Sequence, residues 1–459
     1  MELTHIITPN SSRCIALSIA GSDSSAAAGI QGDIKTFSSL GVYACTVVTA
    51  ITAQNTLNIK EVVPIAPSLV SDQVLSILED TPPKAVKIGV IHNSPTIKAT
   101  ASALKLARCP IILDPIIYSS TRARLLERSA LTDLVSTFAP LLHTITPNIT
   151  EAEEISGQRI KNLEDVSKAA KAIQKIGAQN VIIKGGHAGK ELSTDYLLLE
   201  NGEEIRIARR RIEINGSHGS GCNFSAALTA FIAQQFSLRK SFELANEYTN
   251  SSIQNVYRIG RGLPVTDPIF AVYNNSRRLG VLQRTQEAVD YIESIEDLGE
   301  LIPETQSNLV FALEGAKTIG DVAGVKGRIV RIGSRARPST CVRFGSSYHV
   351  ASAVLAYQLF NPEFRSAMNI KYNSKIKNIC RSKFTVSNYK RNKEPKHIKY
   401  KEGKTLMWGV KEALRKRPGA DIIYNTGDFG KEAMTLIFGH EPFDVINKLS
   451  IILKNYKHG

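Results

Sequence analysis

Features that mark membrane and secreted proteins are missing from this sequence. No apolar run among the 459 residues approaches the ~18 that a transmembrane helix needs. The short apolar stretch Cys14–Ala20 resembles a secretory signal, but it is brief and continues into a glycine-punctuated helix pattern. We therefore predict neither a cleaved leader nor a membrane partner.

The six cysteines are few and scattered. None forms a C-x-x-C pair, and no cysteine–histidine cluster has the spacing of a zinc site. Isolated thiols suit a reducing compartment, so we expect a cytoplasmic protein. Five of the cysteines are expected to be small core residues, whereas Cys222 is a candidate for chemistry.

Several nucleotide-binding and nucleic-acid-binding signatures are also missing. The chain has no G-x-x-x-x-G-K-[ST] P-loop and no protein-kinase signature. It has no internal repeat and no convincing helix-turn-helix, RNP-like segment or zinc finger. Any phosphate chemistry must therefore use another design.

The formal net charge of +15 is unevenly distributed along the chain. Residues 1–276 hold 26 lysines and arginines against 24 acidic residues, whereas residues 277–459 hold 31 against 18. The densest basic stretch, Lys371–Lys404, contains four interleaved aromatic residues. The second half is suited to binding anions. A basic stretch is most often a solvated face, and nucleic acid and anionic small molecules remain open as ligands.

Short apolar runs alternate with amphipathic stretches from residue 13 to about residue 260. The predicted strands are Cys14–Ala20, Tyr43–Ile51, Ala85–Val90, Pro110–Asp114, His143–Thr146 and Val181–Lys184. The predicted helices are Ile30–Leu40, Ser94–Ala107 with Ser94 as N-cap, and Leu163–Ile176. This alternation predicts an α/β fold with a mainly parallel sheet, helices on both faces, and ligands beyond the carboxyl ends of the strands.

The length predicts two domains. The segment Tyr273–Gly280 has turn composition without periodicity, so we place a linker at residues 271–284. It would separate a first domain at 13–270 from a second, smaller α/β domain at 285–459, and residues 1–12 would form an N-terminal tail. In the second domain, helices are expected near Gln283–Ile295, Tyr348–Phe360 and Pro442–Leu453.

A glycine-rich segment, Asn215–Leu228, contains the first candidate site. Its glycines precede a run of small residues, and exposed backbone N–H groups at a helix start bind anions. Gly219, Ser220 and Gly221 are therefore candidates for an anion hole around a transferring phosphoryl group. Cys222 would lie at the helix start, where its pKa is expected to fall and a thiolate could accept a hydroxyl proton. The segment alone is equally compatible with a glycine turn into a buried helix.

Polar residues follow three of the predicted strands. Asp114 ends one strand, Asn148 and Glu151 follow the next, and Lys184 precedes a pair of glycines. Each has a simple structural interpretation, such as a helix cap or a first-turn carboxylate. Together, beside an anion hole, they indicate a Mg-ATP site in which the oxygen ligands hold Mg²⁺ through water.

Seven motifs occur in order over residues 13–265: Ala20–Phe37, Thr52–Thr56, Lys87–Gly89, Leu113–Pro115, Thr146–Asn148, Lys184–His187 and His218–Cys222. In this order they resemble the hydroxymethylpyrimidine/phosphomethylpyrimidine kinases, which have a ribokinase-like fold. The resemblance implies two successive phosphoryl transfers from ATP to hydroxymethylpyrimidine, and a homodimer. It implies that Cys222 is the catalytic base, where sugar kinases of this fold carry Asp, that Gln54 binds the aminopyrimidine edge, and that Asp33 lies near the substrate.

The chain departs from that family's usual pattern at several positions. Ala26 and Ala27 stand where the family has Gly-Gly, and Val90 replaces a methionine of the pyrimidine pocket. The loop after Asp114 reads Ser119-Ser120-Thr121-Arg122 and lacks the family's lysine, a charge that Arg122 or Arg124 could supply. Pyridoxal-type vitamers are the alternative substrates, because related kinases share this scaffold.

Seven further motifs occur in order over residues 285–455: Ile302–Leu313, Gly320–Ala323, Gly327–Val330, Arg343–Ala351, Met368–Ile370, Trp408–Gly409 and Gly427–Glu432. They resemble the ThiN-type thiamine-phosphate synthase domain that is often fused behind this kinase. The resemblance implies that hydroxymethylpyrimidine diphosphate condenses with thiazole phosphate and releases pyrophosphate. It implies that Arg328 and His349 are catalytic, that Arg343 and Lys431 bind phosphate, and that Asp428 holds Mg²⁺ or orients Lys431.

One expected cation is absent from the second domain, because Tyr348 stands where the family has an arginine before His349. Similar domains that lack the catalytic arginine and histidine resemble ligand-sensing regulators. A sensing domain and a nucleic-acid-binding module therefore stay open as alternatives. Because Arg328 and His349 are both present, we favour a bifunctional enzyme of thiamine biosynthesis.

Overall fold

The computed structural model describes residues 13–185, 191–212, 216–395, 404–428 and 431–458. The chain divides into two compact units, Met1–Tyr273 and Asn274–Gly459. The predicted N-terminal tail, residues 1–12, lies outside the described residues. Among the helices that are described, none is long and apolar enough to cross a membrane.

A nine-stranded sheet forms the centre of the first unit. Its strands are β1 Ile15–Asp23, β2 Tyr43–Gln54, β3 Ile59–Pro64, β4 Ala85–Ile88, β5 Ile111–Leu113, β6 Thr144–Ile145, β7 Asn180–Ile183, β8 Leu192–Leu198 and β9 Glu204–Arg210. The order is β3-β2-β1-β4-β5-β6-β7-β8-β9, with parallel pairing from β2 to β7 and antiparallel pairing at both edges. The predicted mainly parallel sheet is therefore confirmed.

Helices cover both faces of this sheet. They are α1 Gly29–Ser39, α2 Pro67–Asp80, α3 Ser94–Leu104, α4 Ala130–Phe138, α5 Ile149–Ser156, α6 Leu163–Lys175, α7 Ser220–Ala233 and α8 Leu238–Gln254. One core contains buried residues of α2, α3, α4 and α6 together with Leu17 and Ile19 of β1. The other contains buried residues of α1, α7 and α8 together with Ala16 of β1. Adjacent residues of β1 thus enter opposite cores, because side chains alternate along a strand.

The start of α3 differs from the prediction by one residue. Asn93, not Ser94, is the N-cap, and its side chain accepts a hydrogen bond of 3.0 Å from the backbone N–H of Thr96. An Asn oxygen at this position satisfies an otherwise unpaired donor of the first helical turn. Ser94 is therefore the first helical residue.

The second unit is a smaller α/β domain with a mostly antiparallel sheet. Its strands are β10 Leu309–Ala312, β11 Val322–Val325, β12 Ile329–Ile332, β13 Arg335–Pro338, β14 Val342–Phe344, β15 Ser366–Lys371, β16 Val386–Asn388, β17 Ile422–Asn425 and β18 Met434–Gly439. Seven of them form a sheet in the order β14-β11-β10-β15-β18-β17-β16, and β12 pairs with β13. Only β16 and β17 pair in parallel in the described sheet.

Helices lie on both faces of the second sheet as well. They are α9 Phe270–Ser294, α10 Tyr348–Gln358, α11 Ser374–Lys383, α12 Lys404–Lys416 and α13 Pro442–His458. Buried residues of α9, α11 and α13 share one core. Buried residues of α10 and α12 share the other.

The segment expected to be a turn-like linker is helical. Tyr273–Gly280 lies inside the 25-residue helix α9. The buried residues of this helix, among them Ala288 and Ile292, all lie at or after Val281, near its middle. Because adding a residue to an existing helix is much easier than starting one, the packed half can extend into a polar segment with little helical pattern of its own.

The C-terminus of α7 forms a Schellman motif. The N–H of Gln235 donates to the carbonyl of Ile232, the N–H of Phe236 donates to that of Phe231, and the two phenylalanine rings are 6.1 Å apart. Gln235 is exposed and has a φ of 68°, a left-handed conformation in which a side chain clashes with the backbone. This strained cap fixes the end of the helix whose other end contains Cys222.

We predict that Gln235→Gly stabilises the first unit by about 0.5–1 kcal/mol, because glycine adopts the left-handed conformation without the clash. Urea unfolding followed by a probe of the first unit measures the change. Gln235→Ala is the matched control, since it removes the same side-chain atoms but keeps a Cβ, and it should give no such gain. Equal effects of the two substitutions would contradict the backbone explanation.

Candidate functional site

The carboxyl ends of β5, β6 and β7 bring the predicted nucleotide-side residues together. Lys184 Nζ lies 2.7 Å from Asp114 Oδ1, and the other carboxylate oxygen, Oδ2, accepts a hydrogen bond of 2.9 Å from Ser225 of α7. A Cβ added to Gly221 would lie 3.5 Å from Lys184 Nζ. The predicted anion hole is therefore beside a lysine, which adds a full positive charge to the helix start.

Asn148 and Glu151 form a capping box at the start of α5. The Asn148 side chain accepts from the backbone N–H of Glu151, and the Glu151 side chain accepts from that of Asn148. The simple interpretation of both residues as helix-start groups is thus correct. Burial raises the pKa of Glu151 to about 7, although the Lys184 cation acts in the opposite direction. A buried carboxyl that titrates near neutrality is common at functional sites.

Glycine is required at the N-cap of α7. Gly219 has a φ of +93°, and a Cβ on it would come within 2.1 Å of the carbonyl oxygen of Ala27. Ser220, Gly221 and Cys222 are the first three residues of the helix, so their N–H groups are those that have no partner within the helix. The three residues predicted to form an anion hole therefore lie at a helix N-terminus, as expected.

The expected depression of the Cys222 pKa is wrong for the protein without ligands. Burial raises the pKa of this thiol to about 11. The Lys87 cation lowers it, but the carboxylates of Asp114 and Asp33 raise it further. The helix start alone is therefore insufficient to give a thiolate here, because removing the sulfur from water and placing it near carboxylates both favour the neutral form.

Asp33 forms a buried ion pair that the sequence analysis did not foresee. Its carboxylate contacts Lys87 Nζ of β4 at 2.5 Å and accepts from Ser18 Oγ of β1, and both charged side chains are completely buried. Burial on its own would lower the pKa of Lys87, but the charges of Asp33, Cys222 and Asp114 together outweigh it and the pKa is raised. In the sequence, Lys87 was only the first residue of the Lys87–Gly89 motif, and its pairing with Asp33 was not predicted.

Gln54 ends β2 and contacts a buried histidine. Its amide nitrogen lies 2.8 Å from Nε2 of His218, whose Nδ1 lies 3.0 Å from Ser120 Oγ. Asp23 Oδ2 is 3.6 Å from the same Nε2. Burial opposes ionisation of Asp23, but hydrogen bonds from His218 and Ser25 outweigh it and lower the pKa of this carboxyl to about 2. His218 is the first residue of the His218–Cys222 motif, but no pattern in the sequence indicated a role for it.

In the second unit, Arg328 lies between β11 and β12 and is exposed. Its guanidinium donates to the carbonyl of Thr305, and its backbone N–H donates to Ser339 Oγ. Glu432 accepts from the hydroxyl of Thr305 and from the backbone N–H groups of Thr305 and Glu304. Burial opposes its ionisation, but these hydrogen bonds together outweigh it and lower the pKa of Glu432. The loop at 303–306 therefore joins Arg328 to the segment that contains Lys431.

Lys431 and Asp428 pair with each other before β18. The N–H of Asp428 donates to the carbonyl of Lys431, and the N–H of Lys431 donates to that of Asp428. Arg343 is exposed on β14, and His349 is exposed in the first turn of α10, next to the exposed Tyr348. The hydrogen bonds of the 303–306 loop connect Arg328 with Glu432, the residue after Lys431. Arg343 and His349 lie in a different segment, on β14 and α10.

Two buried asparagines hold this end of the second sheet together. Asn308 accepts from Val325 N–H through its side chain, and its own backbone N–H donates to the side chain of Asn369. The Asn369 side chain in turn donates to the carbonyl of Gln306. Asn308 and Asn369 both lie inside motifs, but nothing in the sequence indicated that the backbone N–H of Asn308 bonds to the side chain of Asn369.

The described residues contain no cluster of three or more His, Cys, Asp or Glu side chains that could hold a metal ion on their own. Asp114 and Glu151 nevertheless supply two carboxylates near one another, since each influences the same Lys184. Mg²⁺ commonly binds one or two carboxylates, waters and substrate phosphates rather than a complete protein cage. The donor set therefore fits Mg²⁺ that arrives with a nucleotide.

Two protein families match the chain. The family described as "Phosphomethylpyrimidine kinase" matches residues 23–267. The family described as "Thiamine-phosphate synthase ThiN" matches residues 284–450. The two matches follow one another along the chain with little sequence between them.

Curated relatives cover either the first unit or the whole chain. The hydroxymethylpyrimidine/phosphomethylpyrimidine kinase of Bacillus subtilis is 38% identical over 262 residues, which are 57% of this chain and 96% of that protein. The bifunctional thiamine biosynthesis protein ThiDN of Methanocaldococcus jannaschii is 29% identical over 451 residues, 96% of this chain and 99% of that protein. The second match includes both units in the same order.

Solved structures match the first unit. The pyridoxal kinase of Staphylococcus aureus, in complex with AMP-PCP and pyridoxal, has a TM-score of 0.52 and 28% identity, and the match covers 56% of this chain and 94% of that one. Its similarity agrees with the ribokinase-like fold and with the use of ATP. The chain belongs to the phosphomethylpyrimidine kinase family and carries a ThiN-type thiamine-phosphate synthase domain behind the kinase, as in bifunctional enzymes of thiamine biosynthesis.

Proposed function

We propose that the first unit phosphorylates hydroxymethylpyrimidine and then its monophosphate with ATP, and that the second unit condenses the diphosphate with thiazole phosphate. The observation that carries the kinase assignment is the start of α7. There, three backbone N–H groups, the Cys222 thiol and the Asp114–Lys184 pair meet beside a glycine whose Cβ would collide with the neighbouring loop. This arrangement supplies cations and donors for a phosphoryl group and a base for a hydroxyl.

In the proposed kinase reaction, positioning and charge stabilisation contribute most of the acceleration. Gly219, Ser220 and Gly221 donate backbone hydrogen bonds to the transferring group, and Lys184 neutralises charge on the nucleotide phosphates. Asn148 and Glu151 belong to the nucleotide side, and Asp33 lies near the substrate. Cys222 accepts the proton of the attacking hydroxyl, for which it must first become a thiolate.

Mg²⁺ would be held by Asp114 and Glu151 in the first unit and by Asp428 in the second. It would supply charge neutralisation at phosphate oxygens. Asp114 and Glu151 supply the negative charge that the ion needs. When the ion is absent, Lys184 neutralises part of that charge through its ion pair with Asp114. The similarity to a pyridoxal kinase in complex with the ATP analogue AMP-PCP supports ATP as the phosphoryl donor.

In the proposed synthase reaction, the pyrimidine methylene leaves its pyrophosphate as a stabilised cation and the thiazole nitrogen attacks it. Arg328, Arg343 and Lys431 neutralise the leaving pyrophosphate, since guanidinium groups bind phosphate oxygens in pairs. His349 is the remaining candidate for catalysis. The match of the ThiN family to residues 284–450 supports the assignment.

A second candidate substrate for the first unit is pyridoxal, because the solved pyridoxal kinases share this fold. We favour hydroxymethylpyrimidine, since the matching relatives with the higher identities are pyrimidine kinases. A homodimer without bound nucleic acid is the expected assembly. Light scattering of the purified chain, before and after nuclease treatment, tests both expectations.

We predict that one incubation with hydroxymethylpyrimidine, Mg-ATP and thiazole phosphate yields thiamine phosphate, detected by mass spectrometry. Arg328→Ala should lower thiamine phosphate formation about 10²–10³-fold, as loss of one charge-stabilising donor does, and leave pyrimidine diphosphate formation unchanged. Arg415→Ala, at an exposed arginine of the same unit that pairs with Glu412, is the control and should change neither. Formation of pyrimidine diphosphate without thiamine phosphate in the wild-type protein would favour a sensing domain instead.

We predict that kinase kcat/KM for hydroxymethylpyrimidine rises with pH from neutrality toward pH 10, because a base whose pKa is about 11 is more often deprotonated at higher pH. Cys222→Ala should lack the rising limb, so its loss relative to the wild type should reach about 10²–10⁴-fold near pH 10 and become smaller toward neutral pH. Cys222→Asp should retain part of the activity without the rising limb, since a carboxyl is already ionised at neutral pH. A pH profile of the wild-type enzyme that is flat up to pH 10 would contradict the assignment of Cys222 as the base.

We predict that the Mg²⁺ concentration for half-maximal kinase activity falls as pH rises from 6 to 8. Below its pKa of about 7, Glu151 is protonated and must lose that proton before it can bind the ion, so binding strengthens as pH rises through 7. Glu151→Gln should abolish this pH dependence, and glutamine at this position can still complete the capping box. If the variant keeps the wild-type pH dependence, Glu151 is not a ligand.

A further inference from the structure

A buried histidine lies between the candidate substrate-binding residue Gln54 and the anion hole. His218 is 4% exposed and directly precedes Gly219. Its N–H donates to the carbonyl of Pro264, and its own carbonyl accepts from both the N–H and the hydroxyl of Thr266. Because the peptide groups on both sides are hydrogen-bonded, the backbone fixes the position from which the ring extends.

The ring contacts side chains from three separate parts of the chain. Nε2 lies 2.8 Å from the amide nitrogen of Gln54 at the end of β2, and 3.6 Å from Asp23 Oδ2 at the end of β1. Nδ1 lies 3.0 Å from Ser120 Oγ in the loop after β5. Both ring nitrogens therefore have a partner, and the ring is held at both ends.

These contacts couple the tautomer of His218 to the direction of the Gln54 amide. In a neutral imidazole one nitrogen donates and the other accepts. If the Gln54 NH₂ donates to Nε2, then Nδ1 carries the hydrogen and donates to Ser120 Oγ. If Nε2 carries the hydrogen instead, as the Asp23 carboxylate 3.6 Å away favours, the Gln54 amide turns its oxygen toward Nε2 and takes the opposite direction. Each tautomer thus permits one direction of the amide.

The direction of the amide matters for an aminopyrimidine. This ring presents an amino donor beside a ring-nitrogen acceptor, and a carboxamide of one direction pairs with both. The reversed carboxamide would place donor against donor and acceptor against acceptor. A pyridoxal-type ring lacks an amino group beside its ring nitrogen, so it cannot form the same two-point contact and is much less sensitive to the direction.

We propose that His218 is a positioning residue that fixes the direction of the Gln54 carboxamide and so selects an aminopyrimidine over a pyridoxal-type ring. The inference rests on the proposed function, in which Gln54 binds the pyrimidine edge. In addition, His218, Ser120 and Asp23 together determine which ring the Gln54 amide can bind. Ser120 lies in the loop where the chain departs from the pattern of its family, which gives this arrangement a local sequence signal.

A purely structural role for His218 is the competing explanation. Asp23 also accepts hydrogen bonds from the N–H groups of Ala27 and Ala28, and the Ala27 carbonyl packs against Gly219. Loss of the histidine could therefore disturb the anion hole directly. The test must separate an effect on pyrimidine binding from an effect on phosphoryl transfer.

The experiment measures kinase kinetics of the full chain for His218→Phe, Gln54→Leu and the double variant, with hydroxymethylpyrimidine, pyridoxal and Mg-ATP as varied substrates. We expect His218→Phe to raise the KM for hydroxymethylpyrimidine about 10–100-fold, the usual range when a buried polar contact to a substrate is lost. The KM for ATP should stay within about twofold, and the preference over pyridoxal should fall by the same factor as the pyrimidine KM rises. The double variant should be no worse than Gln54→Leu, because residues that act through one another are not additive.

Ser120→Ala is the milder second variant, in case His218→Phe does not fold. It removes the partner of Nδ1 and should raise the KM for hydroxymethylpyrimidine about 3–10-fold, but only when Gln54 is present. Additive effects of the His218 and Gln54 substitutions, or equal rises in the KM for ATP and for the pyrimidine, would overturn the proposal. A wild-type enzyme that does not phosphorylate hydroxymethylpyrimidine would overturn the proposed function itself, and that outcome is seen before any variant is made.

Discussion

The buried ion pair between Lys87 and Asp33 is the constraint on which the candidate kinase site depends. Both side chains are completely buried, one on the central strand β4 and the other on α1. A buried charge is tolerated only with a partner, and removal of one member of such a pair commonly destabilises a protein by about 3–5 kcal/mol. The pair therefore fixes α1, which follows the loop at Asp23–Ala28, against the sheet.

The same charges determine the chemistry of Cys222. Lys87 lowers the pKa of the thiol, whereas Asp33 and Asp114 raise it, and burial raises it most. Both lysines of the site are paired with a carboxylate, Lys87 with Asp33 and Lys184 with Asp114. The free site is therefore nearly balanced, and the cations become available when a ligand or an ion redistributes the contacts.

The sequence predicted the parts of the first unit whose residues have strong local preferences. Every predicted strand is present. Five of the six are buried along nearly their whole length and are largely apolar runs in the sequence, whereas β2 alternates between buried and more exposed residues. The edge strands β3, β8 and β9 were not predicted, since they are half-exposed and contain polar residues such as Glu61, Asp195 and Arg209. The Cys222 pKa was predicted with the wrong sign because a local feature, the helix start, was considered without the burial of the thiol and the carboxylates that the fold brings to it. The contact between Gln54 and His218 joins residues 164 positions apart, and no local pattern encodes it.

The rule that ligands bind at the carboxyl ends of parallel strands located the site residues of the first sheet. It has no equivalent in the second sheet, which is mostly antiparallel. Parallel strands place all their carboxyl ends on one edge, so polar residues after β5, β6 and β7 had to meet. In an antiparallel sheet, one edge contains the starts of some strands and the ends of others. The edge near Arg328 combines the starts of β10 and β18 with the ends of β11, β15 and β17. Asn308, which precedes a strand, and Asn369, which lies near the end of another, pair there for that reason. Residues of such a site are spread over motifs before and after strands, and the fold, not their order along the chain, determines which of them meet.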